Sequence, residues 1–151
     1  MALLAAIVAQ AGCGAAPSSP SPAGPLRLTV EPLQTLAGSP STAEFALKLQ
    51  NTGTAPALLS FPSSCQVMPY IVDRATSRVV APEGGSWVCA AIVTNLTLGP
   101  GETHIETAHI AAARAGAGAF IDVPPGDYAI YARLEDATVK LQSAAVPFSV
   151  R

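Results

Sequence analysis

Residues 123–134 read VPPGDYAIYARL, and the fold is decided by how they are taken. Pro124, Pro125 and Gly126 form a turn, because proline fixes φ and lacks a donor while glycine tolerates the tight backbone. After the turn, Tyr128, Ile130, Ala132 and Leu134 fall on one face and Tyr131 and Arg133 on the other. Period two is the mark of a half-buried strand. The same rule holds at residues 42–51, where Phe45, Leu47 and Leu49 oppose Glu44, Lys48 and Gln50, and at residues 26–31, where Leu28 and Val30 oppose Thr29 and Glu31. At residues 146–150, Val146, Phe148 and Val150 oppose Pro147 and Ser149, and the proline places this last strand at a sheet edge.

Between these strands the chain is broken into short apolar runs. Residues 51–54 (NTGT) and 98–102 (LGPGE) have turn compositions, and residues 55–61 and 103–110 read as strands. Residues 62–65 interrupt the chain, residues 69–74 and 78–81 form a hairpin about residues 75–77, and a loop over 82–86 leads to an expected strand at 87–94. In residues 110–119 (IAAARAGAGA), alanine favours helix while Gly116 and Gly118 restrict it to about a turn or two, so a loop with helical character is expected. The 14 prolines and 12 glycines serve as punctuation among strands. The 151 residues allow one domain. Short strands across residues 26–151 with no long amphipathic helix predict an antiparallel β-sandwich.

The first 25 residues have another character. Residues 3–9 (LLAAIVA) are too few to span a bilayer, which needs about 20 apolar residues, but they suit the apolar core of a secretory signal. With Ala11 and Gly12 before it, Cys13 resembles the lipidated first residue of a mature bacterial lipoprotein; the absence of Lys or Arg after Met1 and the presence of Gln10 depart from that pattern. Residues 14–25 (GAAPSSPSPAGP) carry no charge and read as a tether. At about 3.1 Å per residue its reach would be on the order of 35 to 40 Å. Residues 1–13 are thus expected to be a signal, 14–25 a tether and 26–151 the folded domain. Only 12% of the chain is charged and the formal net charge is −2, so the clustered cations that neutralise nucleic acid phosphates are missing. Cys65 and Cys89 lie within the domain, either as a disulfide suited to an oxidising compartment or as two separately buried thiols.

The segments FALKLQNTGTAPALLSFPSSCQ, PYIVDRATSRVV, NLTLGPGETH, VPPGDYAIYARL and VPFSV resemble, in order and spacing, the BsuPI family of bacterial intracellular proteinase inhibitors. The resemblance spans residues 45–150. It rests on the strand and Asn-Thr-Gly turn at 49–53, Phe-Pro-Ser at 61–63, the Pro-Gly-Glu turn at 98–102 and the Pro-Gly-x-Tyr segment at 125–128. Ser77 stands where a hairpin glycine is usual, and His109 and Ile110 lie near a position that often carries an aromatic residue. The resemblance implies an immunoglobulin-like β-sandwich, with proteinase inhibition as the family's named activity. Tyr128 resembles the tyrosine corner of such sandwiches, the alternative being simple core packing.

A disulfide between Cys65 and Cys89 would contribute roughly 3 to 4 kcal/mol in the chain-entropy model. His104, His109 and Met68 suggest copper handling, but five positions along a strand set the histidines on opposite faces, so no metal site is assigned. No nucleophile elbow, zinc-ligand spacing or phosphate-cradling loop is present, and no enzyme and no cofactor are expected. Asn95 to Thr97 fits a glycosylation sequon, a motif frequent by chance. The expected function is an exported, lipid-anchored module of the cell envelope that binds another protein. Proteinase inhibition through a loop or edge strand is the alternative, and metal handling a weaker one. The candidate surface comprises Ser63, Ser64, Gln66 and Met68 in one loop and Glu83 and Trp87 in another; Trp87 would be an anchor if exposed and core if buried, with burial expected.

Overall fold

The computed structural model describes residues 25–36, 42–111 and 121–151. Its strands are β1 (Leu26–Leu36), β2 (Thr42–Asn51), β3 (Ala57–Phe61), β4 (Val67–Asp73), β5 (Val79–Ala81), β6 (Thr94–Leu98), β7 (Thr103–Ala111), β8 (Ile121–Asp122), β9 (Gly126–Leu134) and β10 (Val146–Val150). One sheet has the order β1-β2-β7-β8, a second β10-β9-β4-β5, and β3 pairs with β6. All pairings are antiparallel except the short one between β7 and β8. The fold is an immunoglobulin-like β-sandwich.

The alternation legible in the sequence is what closes it. Phe45, Leu47 and Leu49 of β2 and Ile130, Ala132 and Leu134 of β9 are buried in one core with Phe61, Ile71, Leu98, Ile110 and Val150. The two layers meet where the Phe45 ring lies edge-on to Phe148 at 5.2 Å. Tyr128 is buried, and its hydroxyl donates to the Pro124 carbonyl at 2.7 Å, so the tyrosine-corner reading holds. β10 lies at a sheet edge with Pro147 exposed.

Two turns expected separately form one unit through Asn51. This side chain is fully buried; its Nδ2 donates to the carbonyls of Ala55 at 2.8 Å and Leu98 at 2.9 Å, and its Oδ1 accepts from the Gly53 amide at 2.9 Å. The Asn51 amide donates to the Glu102 carbonyl, and the Gly101 amide to the Asn51 carbonyl. A buried amide with every polar atom engaged holds its neighbours in one geometry, because releasing any of them strands a polar group.

The structure corrects several element boundaries. Residues 87–93 are not a strand: β3 takes β6 as its partner, with Phe61 opposite Thr94 and Ala57 opposite Leu98. β1 runs on to Leu36 past a register shift between Pro32 and Gln34, where Pro32 has no amide to give the ladder and Leu33 is left exposed. The strand expected at residues 103–110 extends by one residue, to Ala111, as β7. Residues 112–119 lie outside the described residues, as do the segment with Cys13 and residues 14–24 of the tether; Pro25 is tied down, its carbonyl accepting from the Thr52 amide at 2.6 Å.

Candidate functional site

The break after β3 (residues 62–66) and the segment between β5 and β6 (residues 82–93) come together. Cys65 and Cys89 form a disulfide with 5.7 Å between their Cα atoms. Around it the contact is built largely from main chain. The Ser64 amide donates to the Ala90 carbonyl at 3.0 Å, and the Ala90 amide donates to Ser64 Oγ at 2.9 Å. Ser63 Oγ accepts from the Cys65 amide, and the Ser63 carbonyl accepts from Thr94 Oγ1 at 3.0 Å. Gln66 Nε2 donates to that same Thr94 hydroxyl at 3.1 Å, while the Gln66 carbonyl accepts from the Glu135 amide. Ser63 Oγ bonds two residues along its own loop, whereas the Ser64 and Thr94 hydroxyls bond backbone of the facing segment, 26 and 31 residues away in sequence.

The longer segment begins with a short 3-10 turn (Glu83–Gly85), where Gly84 and Gly85 hold φ of 71° and 78°, the left-handed region that favours glycine. The Ala81–Pro82 peptide before it is cis. Trp87 then lies half-buried, its indole Nε1 donating to the Pro69 carbonyl of β4 at 2.9 Å. This corrects the expectation of a buried tryptophan: Trp87 pins the segment to the sheet and keeps part of its ring at the surface. Beyond it Val88 is fully exposed, and Ile92 and Val93 are exposed as well.

Beneath the loops lies a polar brace on the outer face of β4 and β9. Tyr70 OH donates to Glu135 Oε1 at 2.8 Å and accepts from Arg133 Nη2 at 2.6 Å, and Arg133 Nε donates to the same carboxylate oxygen at 2.8 Å. The Arg133 guanidinium sits 4.3 Å over the Tyr70 ring, which stacks on Tyr131. Burial, and then the hydrogen bond to Glu135 and its charge, push the Tyr70 phenol up to about 12. It therefore keeps the proton that it donates. With Trp87, Cys65 and Cys89, the side chains of Tyr70, Arg133 and Glu135 wall a small cavity of about 160 Å³ under the stapled loops.

Of the residues singled out in the sequence, the structure joins Ser63, Ser64, Cys65 and Gln66 to residues 89–94. Glu83 is exposed on a neighbouring groove that Trp87 and Val88 also line. Met68 differs: it is half-buried within β4 opposite Arg133, a sheet residue and not a loop residue. Val88, Ile92 and Val93 were missed because VCAAIV reads as strand; its lack of polar alternation was the available signal. His104 pairs with Glu106 at 3.0 Å, His109 lies 3.6 Å from Glu44, and Met68 is in the other sheet. Among the described residues no group of three or more His, Cys, Asp or Glu side chains could hold a metal.

The fold and the stapled loops define a class: a small immunoglobulin-like sandwich that presents tethered loops. Within it the chain belongs to the BsuPI family of intracellular proteinase inhibitors, whose family model matches residues 30–139. No curated protein matches the chain. Among solved structures, it is similar to the putative ApaA protein from Bordetella pertussis, at 17% identity over 83% of this chain and 91% of that one, with a TM-score of 0.43. A β-glucosidase, EmGH1, from Erythrobacter marinus gives 16% identity over 82% of this chain, with a TM-score of 0.43. A β-glucosidase from Kluyveromyces marxianus in complex with glucose gives 16% over 83%, with a TM-score of 0.41. The chain spans only 15% and 14% of those two enzymes. All three TM-scores lie below 0.5, and nothing about activity passes from these proteins to this chain.

Proposed function

We propose that this domain is a non-enzymatic protein-binding module of the proteinase-inhibitor type, which engages a protease through the paired loops 62–66 and 82–93. The observation that carries the reading is the stapled segment itself: Val88, Ile92 and Val93 are exposed while Cys89 and Ala90 between them are fastened to Cys65 and Ser64. Apolar side chains offered on a restrained backbone lose less conformational freedom on binding than those of a free loop. Family membership supports a protease as the partner. The test is a titration of serine proteases of differing specificity with the full chain, which is expected to inhibit at least one stoichiometrically. Inhibition of none would overturn the reading.

Export and lipid attachment at Cys13 complete the proposal. They are supported by the apolar run at residues 3–9, the small residues before Cys13, and a disulfide that suits an oxidising compartment. Mass spectrometry of the mature protein should find a diacylated Cys13 at its start; an intact Met1 with unmodified Cys13 would contradict this part alone.

A further inference from the structure

Resting on that reading, we propose that Val88 is the side chain offered to the specificity pocket of a serine protease whose pocket is small and apolar, and that the Val88–Cys89 peptide is presented as a substrate-like bond whose ends stay tethered if it is cut. Val88 is fully exposed, yet the residues on both sides of it are fixed. On one side the Trp87 indole is bonded to the Pro69 carbonyl, and Ser86 is extended at φ −136° and ψ 134°, the conformation protease clefts accept. On the other, Cys89 is bonded to Cys65, and Ala90 exchanges hydrogen bonds with Ser64 through both amide and carbonyl.

The backbone distinguishes Val88 from Ala90. An attacked carbonyl must be free to take the protease's oxyanion donors. The Ala90 carbonyl already accepts from the amides of Ser64 and Ile92, whereas among the described residues nothing bonds to the amide or carbonyl of Val88. The side chain then selects the protease class: valine is short, β-branched and stiff, so it fits a small apolar pocket of the elastase kind and leaves a deep acidic or aromatic-sized pocket unfilled.

Tethering explains how such a bond would inhibit instead of being consumed. Attack by the protease serine on the Val88 carbonyl carbon forms an ester and breaks the C–N bond to Cys89, the serine proton passing through the protease's own base to the new amine. That amine is held by the Cys65 disulfide and the Ala90–Ser64 bonds. It therefore stays beside the ester at high effective concentration, and its return attack restores the peptide and the serine hydroxyl.

The test uses the full chain against pancreatic elastase and trypsin as probes. Wild type should inhibit elastase and not trypsin. Val88→Lys should weaken elastase inhibition about 100-fold, as loss of a central anchor does, and create inhibition of trypsin. Leu58→Asp, at an exposed site on β3, should change neither. After long incubation, mass spectrometry should show a cut between Val88 and Cys89 whose two fragments separate only on reduction. Inhibition of elastase that Val88→Lys leaves untouched, or inhibition of trypsin by wild type, would overturn this inference and leave the protease-binding reading standing. Inhibition of no protease would overturn that reading, and the inference with it.

Discussion

Ser77 holds φ at 58° in the turn between β4 and β5, a backbone region that costs an L residue roughly 1–2 kcal/mol. Glycine removes that cost and adds some freedom to the unfolded chain, so Ser77→Gly should raise stability by about 0.5–1 kcal/mol, read as a higher urea midpoint with an unchanged slope. A lower midpoint would show that the turn depends on something the serine supplies. Asp136 acts in the opposite sense, as a buried carboxylate. Burial opposes its ionisation, but hydrogen bonds from the amides of Val139, Thr138 and Ser60 and from the Thr138 hydroxyl outweigh it and hold the carboxyl below the usual range. Its folded value lies below its unfolded one, so its contribution is complete above about pH 4 and is lost as pH falls through the folded value. Asp136→Asn should therefore lower stability at pH 7 and flatten its fall below pH 4, measured by urea unfolding across pH; an unchanged acid slope would contradict this assignment. Ser77 was legible in the sequence, because a serine in a hairpin where glycine is usual is a local departure. The roles of Asn51 and Asp136 were not, since their partners include Leu98 and Ser60, 47 and 76 residues away.

Among the elements, β2 and β9 were readable because one face of each is core and the other is not, which writes period two into the chain. Residues 87–93 misled for a physical reason. Val88, Ile92 and Val93 have strand propensity, but propensity measures fit to a half-buried pleated surface, and here no partner strand supplies one. The segment is held by the disulfide and by Ser64. In the chain-entropy relation, a bridge with a sequence separation of 24 contributes about 3.5 kcal/mol. The double variant Cys65→Ala/Cys89→Ala is expected to lose about that much in urea unfolding and to show faster amide exchange from residue 87 to 93. A loss below about 1 kcal/mol with unchanged exchange would mean that the hydrogen bonds alone hold the loops.

For the whole molecule, the choice between loops and sheet edges as the binding surface turns on how the edges are finished. An exposed edge invites a pairing strand unless it is short, bulged or interrupted by proline. Of the edges of the two larger sheets, β5 and β8 have three and two residues, β10 carries the exposed Pro147, and β1 bulges beside Pro32. Among the described residues, the stapled loops instead offer exposed apolar side chains on a pinned backbone. The most direct measurement is amide hydrogen exchange of the full chain, alone and in complex with a protease that it inhibits. Slowed exchange concentrated at residues 62–66 and 86–93 is the predicted result. Slowed exchange confined to β1 or β10, with the loops unchanged, would contradict the account.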